Sequence, residues 1–351
     1  MDQSQVKGKY DELKSKTYEH LDEIEYFEVG DLEVKILSKD IFYFNNNIQS
    51  SIKFYLSKQN CDQAHITEGG KIGFRKYPQF EESINTSFIN NLKDNKIISY
   101  NILTIKYDSN KIEDDSGKLY IGAYPHLFSP EKYKENDYIP RNGINDEQFW
   151  TYFFDEIKID NKTFDRAKEA YFYSELGFII GTSNFFSIIN KNEVWIEYFN
   201  VTKKCYKKNF KIEDFEGNEQ TYYRFIFQLT GYYCDKDVDI EKLNIGELSF
   251  HNKMNYLNFN FTFKDLWIEK NGFKYFMILQ TLCPEEVWFL GSPFFKKYQM
   301  VFDLDNKVIG FYTNINESYS ENKKIIIKCL YIYFSYNLTR NNYYWTDIFI
   351  D

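Results

Sequence analysis

Apolar and polar positions alternate along much of this chain with the period of two that marks a half-buried strand. The runs "YNILTIKY", "KLYIGAY", "EVWIEYF", "YRFIFQLTGYY", "YLNFNFTF" and "KYFMILQTL" are short, aromatic and β-branched, and each predicts a strand. Helical spacing is confined to a few segments, notably "FINNLKDN" from Phe88 to Asn95 and "FFKKYQ" from Phe294 to Gln299. The charged opening, "YDELKSKTYEHLDEIEYF", has weak helical spacing at Leu13, Leu21 and Ile24 and fits a helix or a loop. "MVFDLDNKVIGFY", Met300 to Tyr312, predicts a hairpin turning at Asp305-Asn306, residue types that tolerate positive φ. The expectation is a mostly β, largely antiparallel protein with few short helices.

Turn formers in "RNGIND", Arg141 to Asp146, separate two β-rich halves. From about Asn314 the composition shifts to "NINESYSENKK", a linker signature. It leads to "IIIKCLYIYFSYNL", Ile325 to Leu338, read as a strand or a disordered tail. Lys328 interrupts that run, which is shorter than the roughly 20 residues of a spanning helix, so a membrane role is not expected.

A net charge of −9 without a long basic run argues against nucleic acid. The 34 Phe and 31 Tyr accompany abundant Asn, Ile and Lys, a chain-wide bias that leaves aromatic clusters little functional weight. Cys61, Cys205, Cys234, Cys283 and Cys329 are widely spaced, with no Cys-x-x-Cys pair, and no metal site is expected. His20, His65, His126 and His251 show no ligand spacing and are expected on surfaces or loops. Nucleotide loops and the Gly-x-Ser-x-Gly elbow are missing, so no cofactor is expected. The start, "MDQSQVKGKYDEL", has no secretory-signal pattern.

The most specific stretch is "VWFLGSPFFKKYQMVFDLDNKVIGFY", Val287 to Tyr312. It resembles the C-terminal signature of pepsin-like aspartic peptidases, cathepsin D and its relatives. Trp288, Leu290, Gly291, Phe294, Tyr298, Val301, Phe302, Asp303, Asn306, Gly310 and Phe311 fall in register. Upstream, "GGKIGFRKYP" (Gly69 to Pro78) is similar to the family's first-lobe Gly-aliphatic-Gly strand. "SGKLYIGAYPHLFSPEKYKENDYIP" (Ser116 to Pro140) is similar to its Gly-x-Leu-x-Ile-Gly segment, and "FWTYFFDEIKIDNKTF" (Phe149 to Phe164) to the strands opening the second lobe. "YFEVGDLEVKILSKDIFYF" resembles the first-lobe strand pair after the flap.

The resemblance implies a bilobal pepsin-like fold with an incomplete N-terminal lobe over 1–145, a C-terminal lobe over 146–313 and a tail over 314–351. It also aligns Gly181-Thr182-Ser183 with the Gly-Thr-Ser of the second catalytic loop, which puts Ile179 at the aspartate and Ile180 at the following Thr or Ser. The nearest acids, Asp165 and Glu175, cannot be slid into place without losing Gly181. The first-lobe loop finds no room before the flap-like region, where Tyr10 is the flap candidate. Two carboxylates sharing a proton activate water and protonate the carbonyl in this family, so the expectation is an inactive homologue. The alternative is a non-catalytic β-rich glycoprotein that binds protein or peptide. The resemblance pairs Cys234 with Cys283 as a disulfide, against a reading of two free thiols, and its members are lysosomal, vacuolar or secreted. Sequons at Asn85, Asn161, Asn200, Asn260, Asn316 and Asn337 would suit a secreted glycoprotein, although an Asn-rich chain generates several by chance.

Overall fold

A computed structural model describes residues 16–17, 19–28, 31–45, 48–58, 88–107, 117–142, 150–173, 176–211, 228–253, 257–281, 287–312 and 330–334. Among them the chain is mostly β, as the alternating runs require. Strands β1 (Glu19–Glu28), β2 (Asp31–Asn45) and β3 (Ile48–Lys58) pair antiparallel in a three-stranded sheet. The segment likened to the strand pair after the flap lies in the β1–β2 hairpin, whose register closes at Glu28 opposite Asp31. Helix α1 (Phe88–Asp94) follows, burying Ile89 and Leu92. Asn91 Oδ1 accepts the Lys53 amide and Asn95 Nδ2 donates to the Ser51 carbonyl, which ties the helix to β3.

Next come β4 (Ile102–Tyr107), β5 (Gly117–Ile121) and β6 (Tyr138–Asn142). The second half contributes β7 (Thr151–Ile159), β8 (Lys162–Phe172), β9 (Ile179–Gly181) and helix α2 (Ser183–Lys191). After these stand β10 (Cys205–Lys211), β11 (Gln228–Asp235), β12 (Leu248–Asn252) and β13 (Leu257–Phe261). Then follow β14 (Trp267–Lys270), β15 (Phe273–Phe276), β16 (Ile278–Thr281) and β17 (Trp288–Leu290). Helix α3 (Ser292–Lys297), β18 (Met300–Asp303), β19 (Val308–Tyr312) and β20 (Leu330–Phe334) complete the order.

Strands β7 to β17 form one large sheet ordered β13-β12-β7-β8-β17-β9-β16-β11-β15-β14, with β10 on β11. A six-stranded sheet, β20-β5-β4-β18-β19-β6, draws on both halves of the chain and on the tail. The core is strongly aromatic, with Trp195, Trp288, Phe154, Phe185, Phe250, Phe261 and Phe294 fully buried. The predicted hairpin forms as β18–β19, Asp303 opposite Val308, but the positive φ falls on Lys307 (60°) rather than on Asp305 or Asn306. Of the apolar run in the tail, Leu330–Phe334 form a strand, β20, which pairs antiparallel with β5.

Two expectations are corrected. "EVWIEYF" is helical, Glu193–Ile196 continuing into a π turn at Glu197–Val201. Asn192 decides it, because its Oδ1 accepts the amides of Val194 (3.1 Å) and Trp195 (3.2 Å) and so starts a helix where alternation promised a strand. The Cys234–Cys283 pairing is also not formed. Cys234 is bonded to Cys205, its direct partner across β10 and β11 with Cα atoms 4.0 Å apart; Cys283 lies outside the described residues.

Candidate functional site

Strand β9 is the centre of the second half. It runs parallel to β16, with Ile179 opposite Ile278 and Ile180 opposite Leu279, and antiparallel to β17, where Ile180 faces Phe289. A strand flanked on both edges and covered on both faces favours a continuous apolar run over alternation. Ile179 (0% exposed) joins the main core with Phe185 and Trp288, while Ile180 (1%) joins a separate cluster with Phe178, Leu229 and Leu279.

Gly181 ends the strand under a ceiling. A Cβ there would stand 2.9 Å from Ile278 Cγ2 and 3.1 Å from the Trp288 ring. At Gly291 the approach is closer, with a Cβ meeting the carbonyl oxygens of Phe178 at 2.1 Å and Leu176 at 2.3 Å. Only a residue without a side chain lets these two chain segments cross. The Ser292 amide donates to the Leu176 carbonyl at 2.6 Å and locks the crossing.

Thr182 and Ser183 then turn the chain into α2. Thr182 is the N-cap, its hydroxyl accepting the Phe185 amide, and Phe185, Phe186 and Ile189 face inward. The same hydroxyl donates to Asp165 Oδ2 at 2.5 Å. Asp165, on β8 and only 2% exposed, also accepts Asn184 Nδ2 at 2.7 Å on Oδ1 and Trp288 Nε1 at 3.3 Å on Oδ2. The Asp165 carboxyl group therefore accepts three donors, from the exit of β9 and from β17. It fastens the loop from behind instead of facing solvent.

Residues Ile179, Ile180, Gly181, Thr182 and Ser183 are thus brought together as one strand end and helix cap, built of hydrocarbon, a bare backbone and hydroxyls. Tyr10 and the Gly69–Pro78 segment lie outside the described residues. The sequence pointed to Asp165 only as a nearby acid; its partners Thr182 and Trp288 are 17 and 123 positions away, and no local pattern joins them.

The C-terminal signature keeps a second buried carboxyl, Asp303, 1% exposed. It accepts the Asn306 amide at 2.9 Å, Asn306 Nδ2 at 2.7 Å and the Tyr124 hydroxyl, and so closes the β18–β19 turn. Burial first, and then the Asp303 contact, holds the Tyr124 phenol well above its ordinary range. A cavity of about 490 Å³ beside this turn is lined by Lys93, Ser99, Tyr100, Tyr124 and Asp305 among others. Its charges answer each other, Lys93 Nζ sitting 2.6 Å from Asp305. His126 bonds to the Tyr312 hydroxyl and His251 to Ser249 Oγ. Among the described residues, no group of His, Cys, Asp and Glu has the arrangement to hold a metal ion, and no helix is long and apolar enough to cross a membrane.

With this geometry established, comparison with known families shows that the family described as "Asp: Eukaryotic aspartyl protease" matches residues 1–314. No curated protein matches the chain.

Proposed function

Given that this chain belongs to the eukaryotic aspartyl protease family, whose activity is aspartic endopeptidase proteolysis, we propose that its own second-lobe catalytic position is silent. One observation carries the reading: Ile179 and Ile180 are sealed inside β9 and Gly181 has no space for a side chain. Water attack on a peptide bond in this family needs two carboxyl groups close enough to share a proton, one taking a proton from water and the other giving one to the carbonyl. A hydrocarbon side chain exchanges no proton at any pH, and losing one such group forfeits on the order of 10²–10⁴ in rate. Asp165 does not substitute, because Thr182, Asn184 and Trp288 occupy its oxygens. Incubating the purified full chain with a generic protein substrate at acidic pH should give no cleavage. Turnover that follows the folded chain through purification and is blocked by a statine-type peptide would overturn the reading.

A second reading, binding of an extended peptide without hydrolysis, is favoured by the intact packing of β9 between β16 and β17. The strands around the silent position remain in order although the chemistry is gone. Titration with a statine-type peptide tests it, and no binding at ligand concentrations on the order of millimolar removes it.

A further inference from the structure

We propose that Asn161 and Asn200 are acceptors for N-linked glycans and that the third sequon among the described residues, Asn260, is not. All three read Asn-x-Thr: Asn161-Lys162-Thr163, Asn200-Val201-Thr202 and Asn260-Phe261-Thr262. The fold separates them. Asn161 is exposed in the two-residue connection between β7 and β8, whose register closes at Ile159 opposite Lys162. Asn200 is exposed at the end of the π turn, next to Val201, which is 73% exposed. Among the described residues, neither side chain makes a hydrogen bond that a sugar would break. A glycan on Asn200 would also cover the apolar surface of Val201 and of nearby Ile196, 41% exposed.

Asn260 is held in the opposite way. It pairs with Ser249 across β12 and β13, and its amide and carbonyl both engage the Tyr298 hydroxyl, at 2.6 and 2.7 Å. Its Oδ1 is enclosed by protein. A glycan there would have to open the sheet.

A separate observation concerns the compartment. The Cys205–Cys234 disulfide persists in an oxidising lumen, the setting in which sequons are modified. In the modification, the Asn Nδ2 atom forms a bond to the anomeric carbon of an N-acetylhexosamine carried on a lipid pyrophosphate. The sugar–phosphate bond breaks, the lipid pyrophosphate leaves with the electron pair, and the amide proton passes to a base of the transferring enzyme.

The test is to translate the full chain behind a secretory leader with endoplasmic-reticulum microsomes and keep the protease-protected fraction. Its glycans are then removed by peptide N-glycosidase in heavy-oxygen water, which converts each occupied Asn to a labelled Asp. Peptide mass spectrometry should find label at Asn161 and Asn200 and none at Asn260. Asn161→Gln and Asn200→Gln should each remove one glycan-sized step in mobility. An unlabelled Asn161 or Asn200 in the protected fraction, or equal labelling of Asn260, overturns the proposal.

Discussion

The loop at 179–183 and the turn at 303–308 both belong to family patterns, yet they have fared differently. In the turn, Asp303 is present and is consumed by the fold: Asn306 and Tyr124 fill its oxygens and the hairpin depends on it. In the loop, on the proposed reading, the place of the family's aspartate is taken by Ile179, which is fully buried. A structural carboxyl is retained because its removal leaves buried donors unpaired, each worth about 1–3 kcal/mol. A catalytic carboxyl has the reverse balance. It is held half-desolvated for the sake of chemistry, and filling its place with a well-packed Ile side chain gains about 1.5–3 kcal/mol of apolar burial. An apolar side chain at position 179 is thus favourable to folding, while loss of Asp303 is not.

The largest test of this contrast is Ile179→Asp, which should destabilise by about 3–5 kcal/mol at neutral pH by burying an unpaired charge, without creating activity. Burial would raise that carboxyl above its unfolded value near 4, so the penalty is present above that value and shrinks as pH falls. Denaturation midpoints at neutral and acidic pH measure both, and an undiminished neutral midpoint would break the comparison. Gly291→Ala should cost about 3 kcal/mol, because its Cβ meets the carbonyl oxygens of Phe178 and Leu176 and the crossing must open.

Asp165→Ala should cost about 2–3 kcal/mol by orphaning Thr182, Asn184 and Trp288. If Asp165 only fastens the loop from behind, stability falls while the result of the proteolysis assay, no cleavage on the proposed reading, does not change. Tyr124→Phe should cost about 1 kcal/mol, the loss of one donor on Asp303. Tyr124, Tyr138 and Tyr312 are all held above their ordinary values, chiefly by burial. Their folded phenols keep protons that unfolded ones release, so stability should fall as pH rises beyond about 10, and spectrophotometric titration should show phenols that ionise only on unfolding.

The mostly β character was legible because strand periodicity is a local property, and the β18–β19 hairpin was legible because both arms and the turn are contiguous. The loop from Ile179 to Ser183 was singled out by the family resemblance at Gly181-Thr182-Ser183, and not by periodicity. What escaped was decided by one side chain or by distant pairing. Asn192 converted an alternating run into a helix through two hydrogen bonds from its side-chain oxygen to following amides. Cys205 found Cys234 because β10 and β11 align them, a register that cysteine spacing does not encode. Asp165 acquired its role only when Trp288 arrived on β17 beside it.

The six-stranded sheet places β4 beside β18, with Ile102 opposite Asp303, so strands far apart in the sequence share an edge. During synthesis β4 can therefore pair with β5 while its other edge stays open until β18 has been made. A strand edge left open across so long a stretch of chain is a site for mispairing, and distant pairing of this kind slows folding.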